Sequence, residues 1–447
     1  MSLLASIGHG ARWFVRKALH VYYPRIAVEG RDRIPATGAI LFVANHPNSL
    51  MDPAVIGFTA QRPVHFFAKA PLFDVPVFGA LMKALGMVPA YRGQDDKASV
   101  RKNLETLELG AKYLAQGAAV GIFPEGKTHD REGVEQVRTG AARIAASAVQ
   151  GGAALLIVPL GLNYERKERF RSSIWVRVGE PIDAAKIFRE HEGEERKAMR
   201  QLTEEIDARL KQAVVHLDEE RWQPFLDELE VLLPPAKFDA SDSIAALRQR
   251  KVLADAINHF FSTDRARAES VGGALEQHRA QAAAAGLSVI SPALRLGLAR
   301  LTGRLVLDTL RLLLGLLPAG AGMLHHLVPF AVTRGIVQLV KHPGRPTIAQ
   351  NRLMIGLPVY ALWYALVWRF IAHHHGALFA WLWTALMPCA GVAALHYAWR
   401  VRTAGRAWWQ ELKMIFRPAE LRRLRQSHVS VRRQLEKLKA EYLALSG

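Results

Sequence analysis

Two apolar runs near the carboxyl end limit the folds that are open to this chain of 447 residues. Residues 353–368 carry no charged side chain, and residues 377–399 hold no Asp, Glu, Lys or Arg. A helix needs about 20 mainly apolar residues to cross a bilayer. The two runs therefore predict a transmembrane helical hairpin, with spans at about 353–372 and 377–399.

A third uncharged run, residues 312–333, is interrupted by Pro318, His325 and Pro329. It is compatible with a re-entrant or interfacial helical hairpin and with a true span. Basic residues such as Arg345 and Arg402 flank the predicted hairpin on both sides. By the positive-inside rule they predict a multi-pass membrane protein with two spans whose preceding domain faces the cytoplasm.

The residues around the hairpin extend this membrane-embedded region to 302–400. His373, His374 and His375 fall at the predicted outer loop, where three adjacent side chains are poorly placed to share one metal ion. Residues 401–447 repeat apolar positions close to a heptad between Arg and Lys. This basic tail is predicted to be a helix that pairs with a second copy, with the body of the protein or with anionic lipid.

The charge balance favours a negatively charged partner. Lys and Arg number 59 against 40 Asp and Glu, a formal net charge of +19. No zinc motif or recognition helix for nucleic acid is evident, so the apolar runs direct this charge to anionic lipid or a phosphorylated substrate. Cys389 is the single cysteine of the sequence, which excludes an intrachain disulfide, and we predict no metal site.

Residues 27–185 alternate short apolar runs with helical stretches. The apolar runs lie at 39–44, 120–123, 155–160 and 174–178. This alternation predicts an α/β domain with a mixed sheet flanked by helices. Residues 1–26 mix aromatic and basic residues like an interfacial amphipathic helix, and 186–301 form a charged helical region.

The stretch "FVANHPNSLMDP" carries the clearest chemical signal. His46 follows the strand predicted at 39–44, and Asp52 follows after five intervening residues. A carboxylate that holds one imidazole nitrogen leaves the other free to take a proton from a hydroxyl. A structural histidine is the alternative for the pair taken alone.

Three later stretches accompany this pair in order: "GMVPAYRGQDD", "GIFPEGKTHD" and "IVPLGLNYERKERFRSS". Together the four stretches resemble the active-site blocks of the glycerophospholipid acyltransferase superfamily. The resemblance is strongest to the fungal branch that acts on glycerol-3-phosphate or dihydroxyacetone phosphate. It covers about residues 27–185.

The resemblance implies that His46 deprotonates the acceptor hydroxyl and that Asp52 orients it. It assigns the acceptor phosphate to cationic side chains, namely Arg92, Lys127, Arg138 and Arg171. It gives a site-shaping role to six further residues: Asn45, Phe123, Pro124, Glu125, Gly126 and Pro159. No cofactor is expected, and the acyl donor would be acyl-CoA or acyl-carrier protein.

Two other functions stay open at this point. A lysophosphatidate acyltransferase uses the same blocks on an acceptor that already carries one acyl chain. A membrane scaffold that only binds phospholipid headgroups is the alternative from another class, although it has no need for His46 and Asp52 together.

Overall fold

The structure, a computed structural model, describes residues 3–74, 78–90, 97–233, 242–289, 291–340 and 344–446. The chain forms two units. Unit 1 comprises Met1–Leu217, Asp239–Lys251 and Pro343–Gln350, and unit 2 comprises Asp218–Phe238, Val252–His342 and Asn351–Gly447. The apolar strands of the sequence thus belong to unit 1, and the long apolar runs belong to unit 2.

Unit 1 alternates strands and helices. Its strands are β1 (Arg25–Glu29), β2 (Ala39–Ala44), β3 (Val64–Lys69), β4 (Val88–Ala90), β5 (Ala119–Ile122), β6 (Leu155–Tyr164), β7 (Ser173–Val178) and β8 (Ile182–Asp183). Its helices are α1 (Leu3–Tyr22), α2 (Met51–Ala60), α3 (Phe78–Ala84), α4 (Lys97–Ala115), α5 (Gly140–Gln150), α6 (Ala184–Glu190) and α7 (Glu195–Ala213).

The described strands form one mixed sheet in the order β1-β7-β6-β2-β5-β3-β4, and β8 pairs with β6. β2 lies between β5 and β6 and runs parallel to both. β6 and β7 run antiparallel, which makes the sheet mixed. The predicted fold class, a mixed sheet flanked by helices, is confirmed.

Burial on both faces of β2 explains its continuous apolar sequence. Leu41 and Val43 pack in a core with residues of α4, α5, α6 and α7. Ile40 and Phe42 alternate with them, point to the opposite face and are equally buried. A central strand of this kind gives its carboxyl end a fixed position, and His46 follows that end directly.

Helix α7 extends unit 1 beyond residue 185, into the stretch that the sequence assigned to a charged helical region. Its buried positions are Ala198, Leu202, Ile206, Leu210 and Ala213, a spacing of three or four residues. These side chains join the core beneath the sheet, while charged residues occupy the outer face. The charged residues of this stretch therefore lie on one face of an amphipathic helix.

Unit 2 is helical in its described residues. Its shorter helices are α8 (Gln223–Leu232), α9 (Ser243–Thr263) and α10 (Arg265–Ala284). Three long helices and a tail helix follow: α11 (Leu298–Leu339), α12 (Gly344–His375), α13 (Ala377–Ile415) and α14 (Pro418–Ser446). The first residues of α9 and of α12 belong to unit 1. By length and composition, three helices of the described chain could cross a membrane: α11, α12 and the segment 377–402 of α13. Most of their large apolar side chains are exposed, as a lipid environment requires.

The run 312–333, for which a re-entrant hairpin and a true span were both open, lies in the continuous helix α11, which contains Pro318 and Pro329. One detail of the apolar region differs from the sequence-based expectation. The three histidines lie in the last turn of α12 rather than in a loop, because the left-handed φ of 88° at Gly376 makes the break one residue later.

The predicted tail helix is α14, and its apolar stripe is buried within unit 2. Leu421 and Leu424 pack with Leu294 and with residues at the end of α10. Three partners were predicted for this stripe: a second copy, the body of the protein and anionic lipid. In the structure the stripe packs against the body of the protein. Pairing of two copies through the tail stays a prediction.

Gly161 permits the close approach of β6 and the end of α7. A Cβ atom at this position would lie 2.1 Å from the carbonyl oxygen of Ala213. We expect Gly161→Ala to destabilise the protein by about 3 kcal/mol, the upper range for an overpacked core. Thermal unfolding of the intact chain in detergent measures this loss.

Gly10→Ala is the matched control, because an added Cβ there meets nothing within 4 Å. Helix propensity predicts that Gly10→Ala is neutral or slightly stabilising. Equal unfolding midpoints for the two variants would show that β6 and α7 are not packed as described.

Candidate active site

The site forms where β2 and β5 end. Both strands run in the same direction, so the residues that follow them meet at one edge of the sheet. His46 follows β2, and Glu125 follows β5. The backbone N–H of His46 donates a 3.0 Å hydrogen bond to Glu125 Oε2. The two sequence motifs are thereby joined through one carboxylate.

His46 and Asp52 form a hydrogen-bonded pair. His46 Nδ1 lies 2.9 Å from Asp52 Oδ2. The Asp52 side chain is 0% exposed, whereas the imidazole is 18% exposed. The ring also stacks on Phe123, with centroids 3.9 Å apart and planes inclined by 10°. Contact with Asp52 and Phe123 fixes the ring, and its remaining nitrogen, Nε2, is available to a substrate.

A tight turn accommodates the five residues between His46 and Asp52. Ser49 adopts a left-handed φ of 43°. The N–H groups of Met51 and Asp52 donate to the carbonyl oxygens of Asn48 and Ser49. This turn places Asp52 in the first turn of α2, with its carboxylate directed back to His46. A spacing of five intervening residues therefore brings the carboxylate of Asp52 into contact with the imidazole of His46.

The neighbouring strand β6 holds the loop that carries His46. Asn45 is buried, donates from Nδ2 to the carbonyl of Leu162 at 3.1 Å and accepts at Oδ1 from the N–H of Leu162 at 2.8 Å. Pro159 lies within β6, opposite Val43, and its carbonyl accepts the N–H of Gly179. Pro159 thus shapes the strand at a distance from the imidazole.

Glu125 organises the loop after β5. Its buried carboxylate accepts the N–H of His46 and His129 Nε2 at Oε2, and the N–H of Glu135 at Oε1. An acidic residue beside a predicted phosphate site is explained by these donors, since a buried carboxylate needs them. Glu125 holds backbone amides in place rather than facing a substrate anion.

His129 is a second buried histidine, four residues after Glu125. Burial alone would lower the pKa of His129, but the hydrogen bond that His129 donates to Glu125 and the negative charge of Glu125 outweigh burial and raise the pKa. Lys167 Nζ donates to the carbonyl of His129 at 3.1 Å and pairs with Asp130 Oδ1 at 2.9 Å. The loop after β5 is therefore fixed by charged hydrogen bonds.

Gly126 and Pro124 form the turn that carries Glu125. Gly126 has a left-handed φ of 73° and donates its N–H to the carbonyl of Phe123. The carbonyl of Pro124 accepts the N–H of Arg138. A Cβ at Gly126 would lie 3.5 Å from Arg138 Cδ, so the Arg138 side chain lies over this turn. The exposed guanidinium of Arg138 is thus close to the Glu125 loop.

The other predicted cations differ in their surroundings. Lys127 Nζ forms a 2.8 Å ion pair with Glu135, and its side chain is 54% exposed. Arg171 is exposed, has a left-handed φ of 63°, and donates its backbone N–H to the carbonyl of Tyr22. Arg92 lies outside the described residues. Among the residues that the structure describes, no three His, Cys, Asp or Glu side chains are grouped to hold a metal ion.

Sequence reasoning missed several polar residues of the site. Tyr164 donates to Asp52 Oδ1 at 2.6 Å, and the backbone N–H of Asn48 donates to Asp52 Oδ2 at 2.7 Å. Asn48 Nδ2 also donates to the hydroxyl of Tyr23 at 2.8 Å. The signal for Tyr164 was its place in "GLNY", at the end of a strand that neighbours β2. His129 was signalled only by its spacing from Glu125.

A comparison with known protein families finds a match for the part of the chain that holds this site. Residues 25–163 match the family model described as Acyltransferase. This chain carries a domain of the acyltransferase family. The match contains His46, Asp52 and Glu125, so the residues that meet at the sheet edge lie within the family domain.

Known relatives of this acyltransferase domain cover part of the chain. Glycerol-3-phosphate O-acyltransferase 1 of Saccharomyces cerevisiae is 33% identical and covers 46% of this chain and 39% of its own. The chloroplastic 1-acyl-sn-glycerol-3-phosphate acyltransferase LPAT1 of Arabidopsis thaliana is 26% identical and covers 34% of this chain and 39% of its own.

A solved structure is also similar to this chain. The 1-acyl-sn-glycerophosphate (LPA) acyltransferase PlsC from Thermotoga maritima is 22% identical, matches 46% of this chain and 80% of its own, and has a TM-score of 0.31. This chain spans less than half the length of the curated relatives it matches.

The pair formed by Glu125 and His129 predicts a pH-dependent stability. Because the pKa of His129 is raised in the folded state, the folded protein binds the proton more tightly than the unfolded chain. The stabilisation is complete below the unfolded pKa of 6.5 and is lost as pH rises through the folded pKa. We expect wild type to unfold about 2–4 °C above His129→Gln at pH 5.5, and the difference to shrink by pH 9.

Thermal unfolding of both proteins across this pH range checks the expectation. His191→Gln is the control, because His191 Nδ1 lies 3.1 Å from the carbonyl oxygen of Ile187, at the end of α6 and outside the loop after β5. Parallel unfolding curves for wild type and His129→Gln would rule out the ion pair with Glu125.

Proposed function

We propose that this chain is a membrane-bound acyltransferase of glycerolipid synthesis that acylates the sn-1 hydroxyl of glycerol-3-phosphate or dihydroxyacetone phosphate. The acyl group would come from acyl-CoA or acyl-carrier protein, with no further cofactor. The observation that carries the proposal is the pairing of His46 with a fully buried Asp52 inside the acyltransferase family domain.

His46 is the general base of the proposed reaction. Asp52 accepts a hydrogen bond from Nδ1–H and so favours the tautomer whose Nε2 carries a lone pair. Nε2 removes the proton of the acceptor hydroxyl while the hydroxyl oxygen attacks the thioester carbonyl carbon. The resulting imidazolium stays beside the Asp52 carboxylate, which stabilises its charge.

The step then closes without an external proton source. The tetrahedral intermediate breaks the bond between carbon and sulfur, and a new ester remains on the acceptor oxygen. The departing thiolate takes the proton held at His46 Nε2, which restores the neutral imidazole. General-base catalysis of this kind contributes roughly 10²- to 10⁴-fold to the rate, and positioning must supply much of the rest.

The acceptor phosphate is assigned to cations at the same edge of the sheet. Arg138 is favoured by its exposed guanidinium over the Gly126 turn. Lys127 is a weaker candidate because Glu135 already pairs with it, and Arg171 follows β6 rather than β5. Arg92 remains a candidate from its motif, since a bidentate guanidinium suits phosphate.

The proposed enzyme works at a membrane, with the catalytic domain on the cytoplasmic side. Three helices that could cross a bilayer and the net charge of +19 support the membrane location. The membrane would present the acyl donor and receive the acylated product.

A lysophosphatidate acyltransferase is the second candidate. The similarity to LPAT1 of Arabidopsis thaliana favours it, while the higher identity to the yeast glycerol-3-phosphate O-acyltransferase favours the first candidate. Both reactions use the same base and differ in the acceptor alone. A scaffold that binds phospholipid without catalysis is opposed by the hydrogen-bonded pair of His46 and Asp52.

Acyl transfer by the detergent-solubilised chain tests the proposal. Glycerol-3-phosphate, dihydroxyacetone phosphate and lysophosphatidate are offered separately with radiolabelled acyl-CoA, and then with acyl-carrier protein. We expect product from glycerol-3-phosphate or dihydroxyacetone phosphate, and His46→Ala should lower kcat by about 10²- to 10⁴-fold because the base is lost.

The thermal midpoint of His46→Ala shows whether this variant is folded. His191→Ala serves as a histidine control outside the site. Product from lysophosphatidate alone would select the second candidate. Full activity of His46→Ala would remove His46 from catalysis, and no product with any pair of substrates would favour the scaffold.

A further inference from the structure

The hydroxyl of Tyr164 contacts the oxygen of Asp52 that does not face His46. Tyr164 donates to Oδ1 at 2.6 Å, whereas Oδ2 receives His46 Nδ1 at 2.9 Å and the N–H of Asn48 at 2.7 Å. The Asp52 side chain is 0% exposed, so these donors replace the water that would otherwise solvate it. In the described part of the chain, the hydrogen bond to Oδ1 comes from the hydroxyl of Tyr164.

The Tyr164 phenol acts as a donor at every pH of interest. Burial raises the pKa of Tyr164 well above its ordinary value of 10.0, and the nearby Asp52 charge adds to this effect. Burial likewise raises the pKa of Tyr23, whose ring centroid lies 5.6 Å from that of Tyr164. Both phenols therefore stay protonated, and Tyr164 acts as a donor to Asp52.

The sheet fixes the phenol relative to His46. Tyr164 is the last residue of β6 and pairs with Ile174 of β7. Two residues earlier, Leu162 holds Asn45, the residue before His46, by hydrogen bonds in both directions. One strand thus positions both the histidine loop and the hydroxyl that contacts Asp52.

We propose that Tyr164 is a positioning residue that acts on His46 through Asp52. This role rests on the proposed function, because it presupposes that His46 is the base. Tyr164 spreads the carboxylate charge over a second strong hydrogen bond, which limits how tightly the pair of His46 and Asp52 retains a proton. It also prevents the carboxylate from rotating away from Nδ1.

The role predicts a shift in the pH dependence of acyl transfer. Without the phenol, the charge of Asp52 acts more fully on His46, and the pair keeps its proton to a higher pH. Titratable groups next to the pair include Tyr23, which bonds to Asn48, Glu125, which accepts the N–H of His46, and His129, which bonds to the same Glu125 oxygen. Tyr164→Phe leaves all three in place.

The pH profile of kcat/KM for Tyr164→Phe is the test. The acid limb of the profile is the pH range in which kcat/KM falls as the pH is lowered. The free energy of a hydrogen bond to a charged group is equivalent to a shift of about one to two pH units, so we expect the acid limb to move to higher pH by about one unit. On the acid side kcat/KM falls about tenfold, while KM for the acceptor stays unchanged because the phenol contacts Asp52. An acid limb that coincides with that of wild type would overturn the proposal.

Tyr22→Phe is the matched control, since its hydroxyl donates to the carbonyl of Glu168 at 3.1 Å rather than to Asp52. This variant should keep the wild-type acid limb. Replacing Tyr164 by 3-fluorotyrosine retains the shape and strengthens the donor, so it should move the limb downward. This second variant decides the question if Tyr164→Phe fails to fold, and an unmoved limb would again overturn the role.

Failure of this inference and failure of the proposed function are distinguishable. If wild type transfers no acyl group to any acceptor, the proposed function fails and the role of Tyr164 fails with it. If wild type is active and the limbs of both Tyr164 variants coincide with its own, the enzyme stands and Tyr164 is only structural.

Discussion

The site depends on one fully buried carboxylate. A buried charge is costly unless hydrogen bonds replace its solvation, and Asp52 receives them from His46, the N–H of Asn48 and the hydroxyl of Tyr164. Two of these donors come from the loop between β2 and α2, and the third comes from the end of β6. Satisfying Asp52 therefore fixes these parts against one another and aims the imidazole outward.

A second carboxylate links this arrangement to the next strand. Glu125 accepts the backbone N–H of His46 and the side chain of His129, so the loops after β2 and β5 share one anchor. The parallel pairing of these strands brings the loops together. Rigid strands with short, hydrogen-bonded loops hold catalytic groups within the small tolerances that chemistry requires.

Much of the α/β fold was predictable because its signals are local. The apolar run 39–44 corresponds to β2, and the pattern of short runs and helical stretches gave the fold class. The role of Tyr164 was not predictable, because its contact with Asp52 spans 112 residues and depends on β6 lying beside β2. His129 was missed although it lies only four residues after Glu125, since only the folded loop shows that Glu125 accepts a hydrogen bond from it.

In the apolar region, the positions of the helices were predictable and their ends were not. Apolar length identified its helices, but the end of α12 depends on the backbone of Gly376, and the prolines of α11 did not end that helix. Proline inside an apolar helix is tolerated where neighbouring helices or local adjustments satisfy the freed backbone groups. Composition alone therefore could not decide between a broken and a continuous helix in this run.

The tautomer of His46 tests the central claim most directly. In intact protein labelled with ¹⁵N-histidine, with the His46 signal assigned by its loss in His46→Ala, the ring-nitrogen shifts report which nitrogen carries the proton. The account predicts a proton on Nδ1 and none on Nε2 in the neutral ring, with this preference lost in Asp52→Asn. A proton on Nε2 in the neutral ring of wild type would contradict it.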